Sequence, residues 1–316
     1  MQNRVREIDY LKCVFIVLMV VFHLVYVGDK FPYAKQVVYT FHMPAFLLIS
    51  GYLANMDKGL GKLARQVKWL FVPYAVMETG YVVMASVLPI REHIEQLTPA
   101  VFLDKLLLHP LGPYWYLHTL MVCYVIYYCA SRMRPRLGTA GAVCLMGVAM
   151  WAAADLLHVV SMSNAVYFMA GAVIRQCGIR FMSAFSPTLL AAVPFALFCI
   201  VSPDGLDRFT LQGAAMTWLA VSLALAVYPY LGSKVKTATH FIGANTLAIL
   251  LFSPIFTIIT KTFVPFFAFD PTAMSYTLVS VAFVLAGSLG IAFVMDRLKL
   301  SQWFSGKPLY NGLQHL

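Results

Sequence analysis

About ten apolar runs follow one another along this chain, most of them near the 20 residues that carry a helix across a bilayer core, with short polar segments between them. In hydrocarbon every backbone N–H and C=O must find its partner inside the segment, so such runs predict α-helices and exclude open sheets. The spans fall near 8–28, 36–54, 69–89, 113–130, 138–158, 163–177, 186–202, 212–232, 242–264 and 273–296. The chain therefore reads as an all-α integral membrane protein, one transmembrane domain over residues 1–316. Composition agrees: 61% of residues are hydrophobic and 11% charged, against about 25% charged in soluble domains. The first run lacks a small-residue cleavage site and is followed by further spans, so it reads as a retained helix and not as a signal peptide.

The net charge of +10 is dispersed among short loops, which points to membrane topology and away from a nucleic-acid-binding face. With the N-terminus placed inside, 17 of the 23 Lys and Arg residues fall in inner segments. Lys30, Lys35, Arg91, Lys105, Arg208 and Lys261 fall outside. Both termini are then cytoplasmic, in a multi-pass protein of the cell inner membrane. The longest outer segment, 90–112, has room for a short interfacial helix over 101–108.

Several chemistries are unsupported. The six cysteines form no CxxC pair and lie mostly in apolar runs, where they serve as small packing groups. Glycine loops for nucleotides, zinc spacings and calcium loops are missing, so neither a metal nor a permanently bound cofactor is expected.

Ionisable residues inside hydrocarbon cost several kcal/mol and are functional candidates by default. Lys12 and His23 are eleven residues apart, three helical turns plus about 20°, and so share a face. With Asp9, Ile16 and Met19 they form one stripe, a cation near one end and an imidazole roughly 16 Å along the axis. The second helix returns after a short loop, which brings His42 to a depth similar to that of His23. Imidazole suits acid–base work near neutral pH, although a histidine bonded to a neighbouring carbonyl serves equally as core. Glu78 sits in the middle of the third span and needs a protein partner, with His23 or Lys12 as candidates. Asp155 and His158 are spaced to pair with each other, and His240 reads as a solvated loop residue.

After the second span, Lys58, Lys62, Arg65 and Lys68 recur every three or four residues. A helical turn places them on one side, where they can meet the phosphates of a ligand or of anionic lipid. Tyr114, Trp115 and Tyr116 open the fourth span, with His118 following. They suit an interfacial aromatic belt or a stacking platform for a sugar.

The run Arg6–Glu–Ile–Asp9–Tyr–Leu–Lys12, followed after ten residues by His23, resembles the opening of the membrane-bound acyltransferase family 3. The stretch from Phe41 through His42, Met43 and Pro44 to Ser50, Gly51 and Tyr52 is similar to that family's second-helix signature. Looser similarities lie at 114–117, 167–175 and 243–247. The branch most resembled is that of fucose 4-O-acetylase-like sugar acetyltransferases. Two positions depart from the pattern: Lys12 stands where many members carry Arg, and Ser253 where many carry a late His.

The resemblance implies acetyl-CoA or a similar acyl-CoA as a cytoplasmic co-substrate, and a hydroxyl of an extracytoplasmic glycan or lipid-linked sugar as acceptor. It implies that Lys12, Lys62, Arg65 and Lys68 hold the CoA phosphates and that His23 acts as base or, failing that, as acyl carrier. Asp9 would orient Lys12 or Arg6, and His42 would orient His23 or polarise the carbonyl. Glu78, Tyr114, Trp115 and His118 would then face the acceptor. A transporter of a small sugar or anion is the rival reading, since many helices and a basic inner face suit it too. The paired, Gly/Pro-interrupted helices of such transporters are not evident.

Overall fold

The computed structural model describes residues 5–56, 59–87 and 92–312. In chain order the α-helices are α1 (Arg6–His23), α2 (Val25–Lys30), α3 (Pro32–Leu53), α4 (Leu60–Val87), α5 (Pro99–Leu107), α6 (Trp115–Arg132), α7 (Arg134–Trp151) and α8 (Met162–Gln176). There follow α9 (Phe181–Ala184), α10 (Ala192–Val201), α11 (Leu211–Val227), α12 (Ser233–Ala244), α13 (Thr246–Ile259), α14 (Met274–Arg297) and α15 (Ser301–Phe304). A π-helical turn over Ala152–Leu156 extends α7, and a 3₁₀ run over Thr260–Phe267 extends α13. The described residues contain no strand.

With these extensions, five helices among the described residues are long and apolar enough to cross a membrane: Leu60–Val87, Arg134–Leu156, Leu211–Tyr230, Thr246–Phe267 and Met274–Arg297. Their surfaces are inverted relative to a soluble bundle. On α10, Val193, Leu197, Ile200 and Val201 are all exposed and none of its residues is buried. Exposed aliphatic faces of that extent are stable against lipid and not against water. The chain is an all-helical membrane protein.

The first apolar run is interrupted. Leu24 is extended (φ −68°, ψ 107°) and ends α1 one residue after His23. A second break falls at Asn245, between α12 and α13. The third run differs too, because its helix starts at Leu60 and so carries Lys62, Arg65 and Lys68 on helical backbone.

The chain divides into two compact units. The first comprises residues 5–46, 180–301 and 308–312, and the second 47–179 and 302–307. In the first, α1 is the central element and packs on α11, α12, α13 and α14. Phe15 is buried there with its ring edge-on to Phe41 and Phe46. In the second, α6 packs on α4, α7 and α8, and Phe168 is buried against Tyr124 and Tyr127. Small residues let helices approach closely where lipid offers no hydrophobic drive. In the second unit, Gly51 faces the Phe168 carbonyl while Gly171 faces that of Leu48, a reciprocal crossing with no room for a Cβ on either side.

Candidate functional site

The first unit gathers the polar stripe of α1 with the histidine of α3. Because α1 is continuous from Arg6 to His23, Asp9, Lys12 and His23 keep their helical spacing. Asp9 is buried, and its Oδ1 lies 3.3 Å from Lys12 Nζ. Gly243 on α12 packs directly on the main chain of Asp9, so the absence of a side chain there sets how closely α12 approaches the stripe.

Both imidazoles are oriented by their own helices. His23 Nδ1 lies 2.7 Å from the Met19 carbonyl and His42 Nδ1 lies 2.7 Å from the Val38 carbonyl, each one turn back. A carbonyl oxygen only accepts, so both Nδ1 atoms carry a proton and donate. Each neutral ring therefore presents its lone pair at Nε2. His42 is buried, and its Nε2 meets no hydrogen-bond partner among the described residues. A buried acceptor without a donor costs about 1–3 kcal/mol, which an arriving hydroxyl would recover.

Tyr39 stands between the two rings, its centroid 6.0 Å from that of His23 and 5.1 Å from that of His42. Its hydroxyl donates to the Phe22 carbonyl in the last turn of α1, at 3.3 Å. Lys35 Nζ lies 5.6 Å from the Tyr39 ring centroid. Tyr39 and His42 lie three residues apart on one helix, a spacing legible in the sequence. The close approach of Gly243 to Asp9 carries no local signal, because the two are far apart in the chain.

The second unit holds the other candidates, and it commits several of them to fastening one loop. Glu78 is fully buried, and its Oε1 accepts the Leu111 N–H at 2.6 Å. That backbone amide, and not His23 or Lys12 of the other unit, is the partner of Glu78. Its Oε2 is buried with no partner among the described residues. His118 Nε2 donates to the Leu107 carbonyl at 2.9 Å, Tyr74 donates to that of Leu106 at 2.7 Å, and Glu92 accepts the Gly112 N–H at 2.8 Å. Tyr114 is buried edge-on to Tyr81, so its ring offers no stacking face. Trp115 is half-buried and keeps part of its surface open.

Lys62, Arg65 and Lys68 are exposed along the first turns of α4, and Lys68 lies over Trp69. Lys58 lies outside the described residues. Two further sequence expectations are corrected. His240 is a buried residue of α12, with its Nε2 3.0 Å from the Tyr228 hydroxyl. Asp155 and His158 are both exposed and form no ion pair with each other. Ser253 is buried within α13.

The sequence profile of an acyltransferase domain, that of acyltransferase family 3, matches residues 5–297. The chain belongs to that family. The match spans both compact units and takes in the α1 stripe, the paired imidazoles and the basic start of α4. No curated protein and no solved structure matches the chain. The activity supported at this level is that of a membrane acyltransferase.

Proposed function

We propose that this acyltransferase moves an acetyl or other short acyl group from cytoplasmic acyl-CoA to a hydroxyl of an extracytoplasmic glycan or lipid-linked sugar. The observation that carries the reading is His42 Nε2, buried with no hydrogen-bond partner among the described residues in the same unit as His23, while the Nδ1–H of each ring is held by a helical carbonyl. The reading takes about ten crossings of the inner membrane with both termini inside, and a sugar O-acetyltransferase as the branch. It draws on the charge asymmetry of the loops and on the motifs of the first two spans.

In this mechanism His23 Nε2 takes the proton of the acceptor hydroxyl as its oxygen attacks the thioester carbonyl. The tetrahedral intermediate expels CoA thiolate, which receives that proton from the His23 imidazolium. The acyl ester leaves with the acceptor. His42, neutral with Nδ1–H engaged, can only accept at Nε2, so it orients the acceptor through a second, neighbouring hydroxyl and does not polarise the carbonyl. Lys35, whose Nζ lies over the Tyr39 ring that touches both imidazoles, is a cation that would favour the oxyanion. Asp9 holds Lys12 for a CoA phosphate, and in the second unit the exposed Lys62, Arg65 and Lys68 are a separate set of cations suited to phosphate. Trp115 is the acceptor-stacking candidate.

The test is to reconstitute the purified protein in proteoliposomes with acyl-labelled acetyl-CoA on one side and candidate glycans on the other. Label appearing on the glycan supports the reading. Sugar flux without acylation would establish the transporter in its place.

A further inference from the structure

The second unit contains a cavity of about 340 Å³ that the site above does not use. Such a volume lies in the range of ligand clefts, roughly 300–1,000 Å³. Its wall includes Arg132 and Arg134 at the junction of α6 and α7, Arg175 and Gln176 at the end of α8, Tyr127, and Asn55 just after α3. In the sequence these arginines count simply as positive charges of inner segments. Folding brings three guanidinium groups to one cavity, with no carboxylate among its described lining residues.

Two of the arginines are held by aromatic rings. The Arg132 guanidinium carbon lies 4.6 Å from the Tyr128 ring centroid, and that of Arg175 lies 5.8 Å from that of Tyr52. Such stacking fixes the plane of the fork. Arg175 sits in the last turn of its helix, where the dipole favours a cation. Arg134 is the first residue of α7, where the dipole disfavours one. An anion beside Arg134 answers its guanidinium at a helix start that otherwise disfavours a cation. An independent observation also points to a ligand: Gln176 Oε1 is buried in this wall with no hydrogen-bond partner among the described residues.

We infer that this cavity binds the phosphate groups of an anionic ligand, and that the ligand is the diphosphate-bearing part of the acyl-CoA donor. Planar guanidinium forks match phosphate oxygens in pairs, and Gln176 Oε1 accepts an N–H or O–H from the adjoining nucleoside. The identity of the ligand rests on the acyl-CoA reading above, whereas the phosphate chemistry does not. An anionic lipid headgroup carries the same chemistry, so the experiment separates the two sources.

The protein in phosphatidylcholine nanodiscs is titrated calorimetrically with CoA and, separately, with pyrophosphate. A parallel preparation contains labelled phosphatidylglycerol. Arg134→Gln and Arg175→Gln are each expected to weaken CoA and pyrophosphate about tenfold or more, with an unchanged melting temperature. Arg134→Lys and Arg175→Lys, which restore charge without the fork, should recover part of the loss. Both Gln variants binding CoA and pyrophosphate as tightly as wild type would overturn the proposal and leave the acyltransferase reading intact. Labelled lipid retained by wild type and lost in the Gln variants, with no CoA binding, would keep the phosphate site, assign it to lipid and remove acyl-CoA as its ligand. Wild type binding none of the three would overturn the site itself.

Discussion

Gly243 lies so close to Asp9 that a methyl group at Gly243 would overlap the Asp9 carbonyl oxygen and carbon. The α1–α12 crossing is therefore set by a missing side chain at the buried acid of the polar stripe. Replacing Gly243 by Ala forces the helices apart, and overpacking of this kind costs about 1–3 kcal/mol. Gly290, inside α14, has nothing within 4 Å of its would-be Cβ, so Gly290→Ala should instead stabilise by about 0.5–1 kcal/mol through helix propensity. Thermal unfolding in detergent should shift in opposite directions for the two variants.

Residues 309–311 are tied to the bundle through their backbone. The Asp296 carboxylate accepts the Leu309 and Tyr310 N–H groups at 2.9 and 2.8 Å. Asn245, at the break between α12 and α13, accepts the Asn311 N–H at 2.8 Å and donates to its carbonyl at 3.1 Å. Asn245→Ala removes both bonds from a buried position, at about 1–3 kcal/mol. Hydrogen exchange should quicken at the Asn311 amide in Asn245→Ala, and at Leu309 and Tyr310 in Asp296→Ala.

Asp270 titrates in the turn that precedes α14. Its carboxylate accepts from the Thr272 N–H and hydroxyl and from the Ser275 N–H, and these bonds hold its pKa below the ordinary carboxylate value. A group depressed in the folded state stabilises fully above its unfolded pKa, and that contribution fades as pH falls through the folded value. Asp270→Asn should therefore lower the melting temperature at pH 7. The gap to wild type should persist to about pH 4 and narrow below it.

Tyr39 separates two demands on one side chain. Tyr39→Phe keeps the ring between His23 and His42 and loses the bond to Phe22, whereas Tyr39→Ala loses the spacer as well. If imidazole placement governs turnover, Phe should cost little in kcat. Ala should cost on the order of 100-fold, the scale of a misplaced catalytic group. Steady-state kinetics on the two variants checks this.

The apolar runs made the helices legible because length and hydrophobicity alone demand them in lipid. The Lys12–His23 stripe was legible because both residues lie on one helix, where sequence spacing is geometry. The break at Leu24 was not, since neither Pro nor Gly marks it. The partner of Glu78 was also hidden: Leu111 is 33 residues away and contributes a backbone N–H, which has no residue signature. His240 was misread because a histidine among lysines and threonines looks solvated, and its burial depends on the packing of α12 against α1. The arginine-lined cavity needed three segments brought together, which residue counts cannot supply.

The central claim is that His23 Nε2 is the base of acyl transfer. The most direct measurement is single-turnover transfer of labelled acetyl from acetyl-CoA to a glycan by wild type and His23→Ala, with CoA affinity measured on both. The account predicts transfer reduced by at least about 100-fold in His23→Ala, with CoA affinity unchanged. Transfer at the wild-type rate by a folded, CoA-binding His23→Ala protein would contradict it.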